Sequence, residues 1–249
     1  MIDTLLNHRS IRKYKPDPIP EELLNRILEA GTRASTTGNM QVYSMIVTTD
    51  ASIKKELSPC HFNQAMVTEA PVLITFCADF NRFNRWCRLR GAEPGYDNFL
   101  SFFTAAIDAL LVAQNVCVAA EDAELGICYL GTTTYMAAEI IRILELPKGV
   151  VPVTTVTLGY PDEYPGLTDR LPEEAVIHRE KYRNYSEEAI QKHYQNKELI
   201  TINQDFVKEN KQPTLAHVYT NVRYKKEDNI LFSKTLLKVL EDQGFMNNQ

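Results

Sequence analysis

Apolar positions along this chain fall into runs of two kinds. Leu23, Leu24, Ile27 and Leu28 recur at helical spacing behind Pro20, Glu21 and Glu22, which have the makeup of a first helical turn. Gly31 is the expected stop of that helix. Ile2, Leu5 and Leu6 predict a short helix upstream, and Pro16, Pro18 and Pro20 force an extended connection between the two. Residues 34–39 are small and polar and read as a loop; residues 42–48 read as a strand. Residues 53–57 and 62–69 suggest two short helices. Behind Pro71 the run 72–78 is continuously apolar, the pattern of a strand buried on both faces.

Residues 81–95 place Arg82, Arg85, Arg88 and Arg90 around Phe83 and Trp86, a mobile lid or a solvated surface loop. Residues 99–124 predict one long, largely buried helix. Its apolar heart, 105–120, is interrupted by Asp108, Gln114 and Asn115 and reads as too short and too polar to span a bilayer. A strand at 127–130, a helix at 136–144 and a strand at 150–158, beginning near Pro152, follow. Pro161, Pro165 and Pro172 keep the next stretch extended. Beyond Arg179 the chain is polar and patchily helical, with a last helix capped by Asp228 and ended by Gly244. Four separated strands among many helices give an α+β fold with a mixed or antiparallel central sheet of four or five strands. Residues 1–180 form the expected domain, and 181–249 a helical extension packed on it or on a dimer partner.

A net charge of −5 gives the chain no general attraction for nucleic acid or an anionic membrane, so an anion site must come from a local cluster of cations. The five cysteines are odd in number, form no C-x-x-C pair, and in three cases (Cys77, Cys117, Cys128) lie in apolar runs. That pattern points to a reducing compartment, the cytoplasm. The opening Met1-Ile2-Asp3 lacks the layout of a signal peptide. No G-x-G-x-x-G, G-x-x-x-x-G-K-[ST], H-E-x-x-H or G-x-S-x-G occurs. The histidines lack metal-ligand spacing, so no metal site is expected.

What stands out is His8-Arg9-Ser10-Ile11-Arg12-Lys13-Tyr14. Two guanidinium forks and a hydroxyl suit a phosphate, although a solvated basic turn has the same composition. This run, with Pro18-Ile19-Pro20 and Glu29-Ala30-Gly31, resembles the opening of the nitroreductase family. Thr36-Thr37-Gly38-Asn39-Met40-Gln41 stands where that family has a Ser-rich S-x-x-N-x-Q loop. Phe76-Cys77-Ala78-Asp79-Phe80-Asn81-Arg82, Gly126-Ile127-Cys128-Tyr129-Leu130-Gly131, Leu158-Gly159-Tyr160-Pro161 and Arg170-Leu171-Pro172 resemble its branch of NADPH-dependent oxygen-insensitive nitroreductases and flavin reductases.

The resemblance implies a homodimer with FMN at its interface and NADPH or NADH as co-substrate. It implies ping-pong transfer of hydride to a small-molecule oxidant such as a nitroaromatic, a quinone or a flavin. No protein acid or base is required, because the flavin carries the chemistry. His8, Arg9 and Arg170 would hold the phosphate, with Ser10 on the phosphate or ribityl chain. Arg12 would face the pyrimidine edge, and Gln64 the ring or ribityl chain. Tyr129, Leu130 and Gly131 would line N5, and Thr36, Thr37 and Gly38 would come from the other subunit. Arg223 and Lys225, in the basic cluster 221–226, would meet the NADPH 2′-phosphate. The branch's lysine two residues before the arginine of R-L-P is Thr168 here, leaving Lys13 or Lys15 to replace that cation. The alternative readings of this chain are a non-catalytic flavin-binding or flavin-storage protein, or a dehalogenase-like or flavin-fragmenting relative on the same scaffold. Read singly, Tyr129 could be a core tyrosine, Gln64 a turn cap, Arg170 a partner of Asp169 or Glu173, and Arg223 part of a solvated turn.

Overall fold

The computed structural model describes residues 2–247, and at its centre the continuous apolar run is strand β2 (Val72–Asp79), all eight residues buried. Its neighbours are β1 (Tyr43–Thr48) and β4 (Val150–Gly159), with β3 (Gly126–Leu130) beyond β4. The order is β1-β2-β4-β3, and every neighbouring pair is antiparallel. Both faces are covered, which is why β2 reads as unbroken apolar sequence. Val72, Ile74 and Phe76 pack with α2 (Glu21–Thr32) and α6 (Phe99–Asp122), while Leu73 packs with α3 (Ala51–Leu57), α4 (Met66–Glu69) and α7 (Ala137–Ile143). Pro152 lies inside β4 rather than at its start. It faces Cys77 where the register shifts, a bulge at which a missing N–H is tolerated.

Several local expectations are revised. Gly31 does not end α2, which runs on to Thr32; a Cβ on Gly31 would stand 2.4 Å from Val116 Cγ2, so the glycine is there to let α2 approach α6. Residues 62–69 are not one helix. A 3-10 turn (Ser58–His61) and α4 are separated by residues 62–65, of which Phe62 and Asn63 have φ of 56° and 53°. The arginine-rich stretch is helix α5 (Asn81–Leu89), not a loop, with Phe83 packed on Phe80 and Tyr96.

By length and composition α6 could cross a bilayer: it has 24 residues, and its most apolar window has a mean hydropathy of 1.7. Length therefore does not distinguish it from a membrane span. What does is its packing, since half of that window is buried among α2 and the sheet, and the carboxylate of Asp108 is engaged within it.

The described residues separate into two units. The first comprises the chain up to Gly166 together with the chain from Phe232 onward, and includes α1 (Ile2–Leu6). The second, Leu167–Leu231, holds α8 (Glu187–Leu199), α9 (Thr201–Glu209), α10 (Leu215–Val218) and a π-helical turn (Tyr219–Arg223). Helix α11 (Lys226–Gln243) begins before Asp228, which lies in its first turn rather than capping it. Its later residues Leu236, Val239 and Leu240 pack with Phe102, Ala105 and Phe245 in the first unit, and Gly244, at φ 84°, closes it.

Candidate active site

The basic run from His8 lies along the free edge of β3. Ser10 forms a parallel bridge with Ile127, and the Ile11 N–H donates to the Ile127 carbonyl at 2.9 Å. Ile11 and Tyr14 are the buried anchors. A Cβ on Gly126 would stand 2.7 Å from Ile11, so β3 needs a glycine where the run crosses it. Tyr14 donates to the Ile11 carbonyl at 2.6 Å and bonds the Thr157 hydroxyl at 2.7 Å. Burial of these two residues turns the polar side chains between them outward.

Arg9 gives its Nε–H and Nη1–H to the carbonyls of Asn7 and Pro165, each at 3.2 Å. Both acceptors are neutral, so they orient the guanidinium without cancelling its charge. Beside Arg9 and Lys15, a cleft of about 740 Å³ opens toward Tyr160 and Tyr164. Burial raises the pKa of the Cys128 thiol, and the nearby Arg12 cation and Ser10 hydroxyl lower it. The main-chain N–H groups of Arg12 and Lys13 donate to Glu163 Oε1 at 2.6 and 3.2 Å. His8 Nδ1 is 2.7 Å from Glu121 Oε1 near the C-terminal end of α6.

The turn after β3 lies just beyond. Tyr129 points toward α6, its phenol 3.4 Å from Gln114 Oε1, and burial pushes its pKa up. The partly buried Tyr129 ring packs against the core cluster formed by α6 and the sheet. Leu130 is buried, and its carbonyl accepts from the Thr133 hydroxyl at 3.0 Å. Gly131 is exposed with open space around it, so a planar ring can approach the main chain there. Gln64 is half-buried and donates its amide to the His61 carbonyl at 3.0 Å. His61 in turn bonds Thr132, at 2.8 Å, through its ring. The structure therefore brings together the basic run, the 129–131 backbone and the Gln64 turn, all within the first unit.

It does not bring Thr36, Thr37 and Gly38 to His8 in the same chain. The Thr37 N–H donates to Asp108 Oδ1 at 3.0 Å, whereas His8 is held at Glu121 on the same helix. Thirteen residues of α6 put those anchors on the order of 20 Å apart.

In the second unit, Arg170 is exposed and gives Nη1–H to the carbonyls of Thr168 and Asp169 at 3.2 and 3.0 Å. The Asp169 carboxylate is engaged by Lys197 at 2.8 Å rather than by Arg170. Arg223 is exposed, with its guanidinium carbon 4.4 Å from the centre of the Phe206 ring, and Lys225 is half-buried close by in sequence.

Sequence reasoning missed the residues that hold these groups in place. Asp108 was visible as a carboxylate in an apolar run, but its partner Thr37 is 71 positions away. Glu163, His61 and Thr132 gave no local signal. The donor set suits a phosphorylated planar cofactor such as FMN: an unneutralised guanidinium and a hydroxyl at one end, an open glycine backbone and an amide at the other.

Comparison with known proteins identifies the family. The profile of the Nitroreductase family matches residues 5–160. An FMN reductase (NADPH) of Bacillus subtilis (strain 168) is 34% identical over 183 residues, covering 73% of this chain and 74% of the relative. A crystal structure from Bacteroides fragilis NCTC 9343, described only as an oxidoreductase, superposes with a TM-score of 0.97 at 56% identity, over 98% of this chain and all of that one. The NADPH:FMN oxidoreductase of Vibrio harveyi, in complex with NAD+, superposes with a TM-score of 0.80 at 28% identity over 99% of each chain.

Proposed function

The chain belongs to the nitroreductase family, and from that premise we propose that it holds FMN along the edge of β3, as a homodimer, and passes reducing equivalents from NAD(P)H to a small-molecule oxidant. It is an oxidoreductase of the NAD(P)H-dependent, flavin-based class. The observation that carries the site assignment is the bridge between Ser10 and Ile127, which sets the cations of the basic run beside the turn at Gly131. When bound, FMN supplies the hydride and electron-transfer chemistry.

The residues of the chain bind and orient. Arg9 and Ser10 take the phosphate and adjoining ribityl oxygen, with His8 beside them and Arg170 as a further cation. Arg12 places positive charge at the pyrimidine edge, where negative charge builds on reduction. The backbone at Tyr129, Leu130 and Gly131 would line N5, and the Gln64 amide would serve the ring or ribityl chain. Thr36, Thr37 and Gly38 of the partner subunit complete the site, a reading supported by the separation of the Thr37 and His8 anchors along α6.

The dimer is supported by the outer face of α6. Leu100, Phe103, Ile107 and Leu110 recur at helical spacing and are 71, 52, 41 and 45% exposed, more apolar surface than a monomer leaves to water on one helix. Arg223 and Lys225 are assigned to the 2′-phosphate of NADPH. The buried thiols Cys60, Cys77, Cys117 and Cys128, all unpaired, suit the cytoplasm.

Flavin content and light scattering on the purified protein, together with NADPH oxidation in the presence of a quinone, test this reading. A flavin-bearing dimer that turns over is expected. A stable monomer that neither retains nor binds FMN would overturn it.

A further inference from the structure

His61 is a fully buried titratable side chain with no part in the cofactor contacts assigned above. Its Nδ1 is 2.8 Å from the Thr132 hydroxyl, and its Nε2 has no hydrogen-bond partner among the described residues. Its carbonyl accepts the Gln64 side-chain amide at 3.0 Å and the Gln64 main-chain N–H at 3.2 Å. One residue thus links two segments 71 positions apart: the turn that presents Gln64 and the turn that follows Gly131.

Neither link comes free. An unmatched buried nitrogen costs stability that an apolar side chain in the same space would keep. Phe62 and Asn63, both non-glycine, adopt left-handed backbone to complete the turn, a further strain. The same two segments meet a second time: the rings of Phe62 and Tyr135 stack at 6.5 Å, and Tyr135 stacks on Phe232 at 4.2 Å. Strain and an orphaned nitrogen at one junction between candidate ligand-binding turns are what a site holding its geometry requires. Burial keeps the ring neutral, its pKa pushed down to about 4, so it adds no charge beside the ligand at neutral pH.

We propose that His61 is a positioning residue of the flavin site, its ring holding the Gly131–Thr132 turn and its carbonyl holding Gln64, so that both groups address the isoalloxazine in one fixed register. This rests on the assignment of Gln64 and the 129–131 backbone to the flavin.

The test uses the full-length dimer and FMN, with affinity read by fluorescence titration and ring environment by the visible spectrum and midpoint potential of the bound flavin. His61→Phe keeps the ring volume and loses the bond to Thr132; Thr132→Val loses it from the other side. Each is expected to weaken FMN binding by about tenfold, the scale of one hydrogen bond, and to shift the flavin bands and potential. Because both remove the same link, the double variant should be no weaker than either single. His61→Asn, whose amide can stand in for Nδ1, and Thr132→Ser should restore parental values. If His61→Phe does not fold, the Thr132→Val and Thr132→Ser pair decides alone. Unchanged affinity, spectrum and potential in Thr132→Val, or losses that add in the double variant, would overturn the proposal while leaving the flavin reading intact. A parent protein that binds no FMN would overturn both.

Discussion

The carboxylate of Asp108, buried in the middle of an apolar helix, accepts the main-chain N–H of Thr37 at 3.0 Å. Its other oxygen lies 3.4 Å from the Val42 N–H, so one side chain pins both ends of a turn in which Gly38, Asn39 and Gln41 all have positive φ. Arg82 braces the same turn, donating to the carbonyls of Gln41 and Tyr43 at 2.6 and 3.0 Å. Replacing one oxygen by a donor should undo this. Asp108→Asn is expected to lose about 1.5–3 kcal/mol of stability, the range of a hydrogen bond to a charged group. Urea unfolding of the two proteins measures it, and an unshifted midpoint would mean that the turn does not depend on the charge.

Arg9 and Arg170 each spend guanidinium N–H groups on neutral carbonyls, which leaves their charge available to an anion. Arg9→Ala and Arg170→Ala are each expected to weaken FMN binding by about 1.5–3 kcal/mol. Riboflavin, which has no phosphate, should bind the variants and the parent alike. Titration with both flavins separates a phosphate contact from general damage; an equal loss for riboflavin would point to damage.

Much of this architecture was legible in the order of residues. The four strands follow from apolar runs and the long helix from its sustained apolar stretch, and the basic run announced itself by two arginines around Ser10. What was hidden depended on contacts distant in sequence. Gly31 has the look of a helix stop, and only the approach of Val116 reveals its packing role. Residues 81–89 looked like a lid because their arginines dominate the composition. The helix forms because Phe83 can reach Phe80 and Tyr96 while Arg82 reaches back to β1. Glu163 holds the backbone of Arg12 from 151 positions away, and no local pattern marks it.

Burial gives His61 a pH signature. An exposed imidazole takes up its proton near pH 6.5, but in the folded chain burial delays this to about pH 4. Between those values the unfolded state binds the proton and the folded state does not, so stability is full above pH 6.5 and falls as the pH drops toward 4. At about 1.4 kcal/mol per pH unit, the whole loss is about 3 kcal/mol. His61→Asn does not titrate there and should lack this component. Urea midpoints of parent and variant at pH 7 and pH 4.5 measure it: the stability gap between them should move in the variant's favour at the lower pH, and a gap independent of pH would contradict the assignment.

Arg223 is the proposed determinant between the two nicotinamide cofactors. NADPH differs from NADH by a phosphate that is largely dianionic at neutral pH, and discrimination needs cations placed to meet it. The Arg223 guanidinium carbon lies over the Phe206 ring, 4.4 Å from its centre, in an exposed side chain that this contact helps to order. A pre-ordered fork loses less entropy on binding an anion than a free side chain does. Lys225, two residues on, is a second cation for the same group. The expected result is a preference for NADPH, with Arg223→Ala raising the KM for NADPH by roughly tenfold, the scale of one charge-assisted contact, and leaving NADH little changed. Phe206→Leu should lower the preference less, because it removes the support and not the charge. Added salt should erode the parent's preference, since an exposed ion pair is screened within about 10 Å at 0.1 M. Steady-state kinetics with both cofactors at two ionic strengths test all three points. Equal kcat/KM for NADH and NADPH in the parent, or an unaltered ratio in Arg223→Ala, would remove this arginine from the nucleotide site.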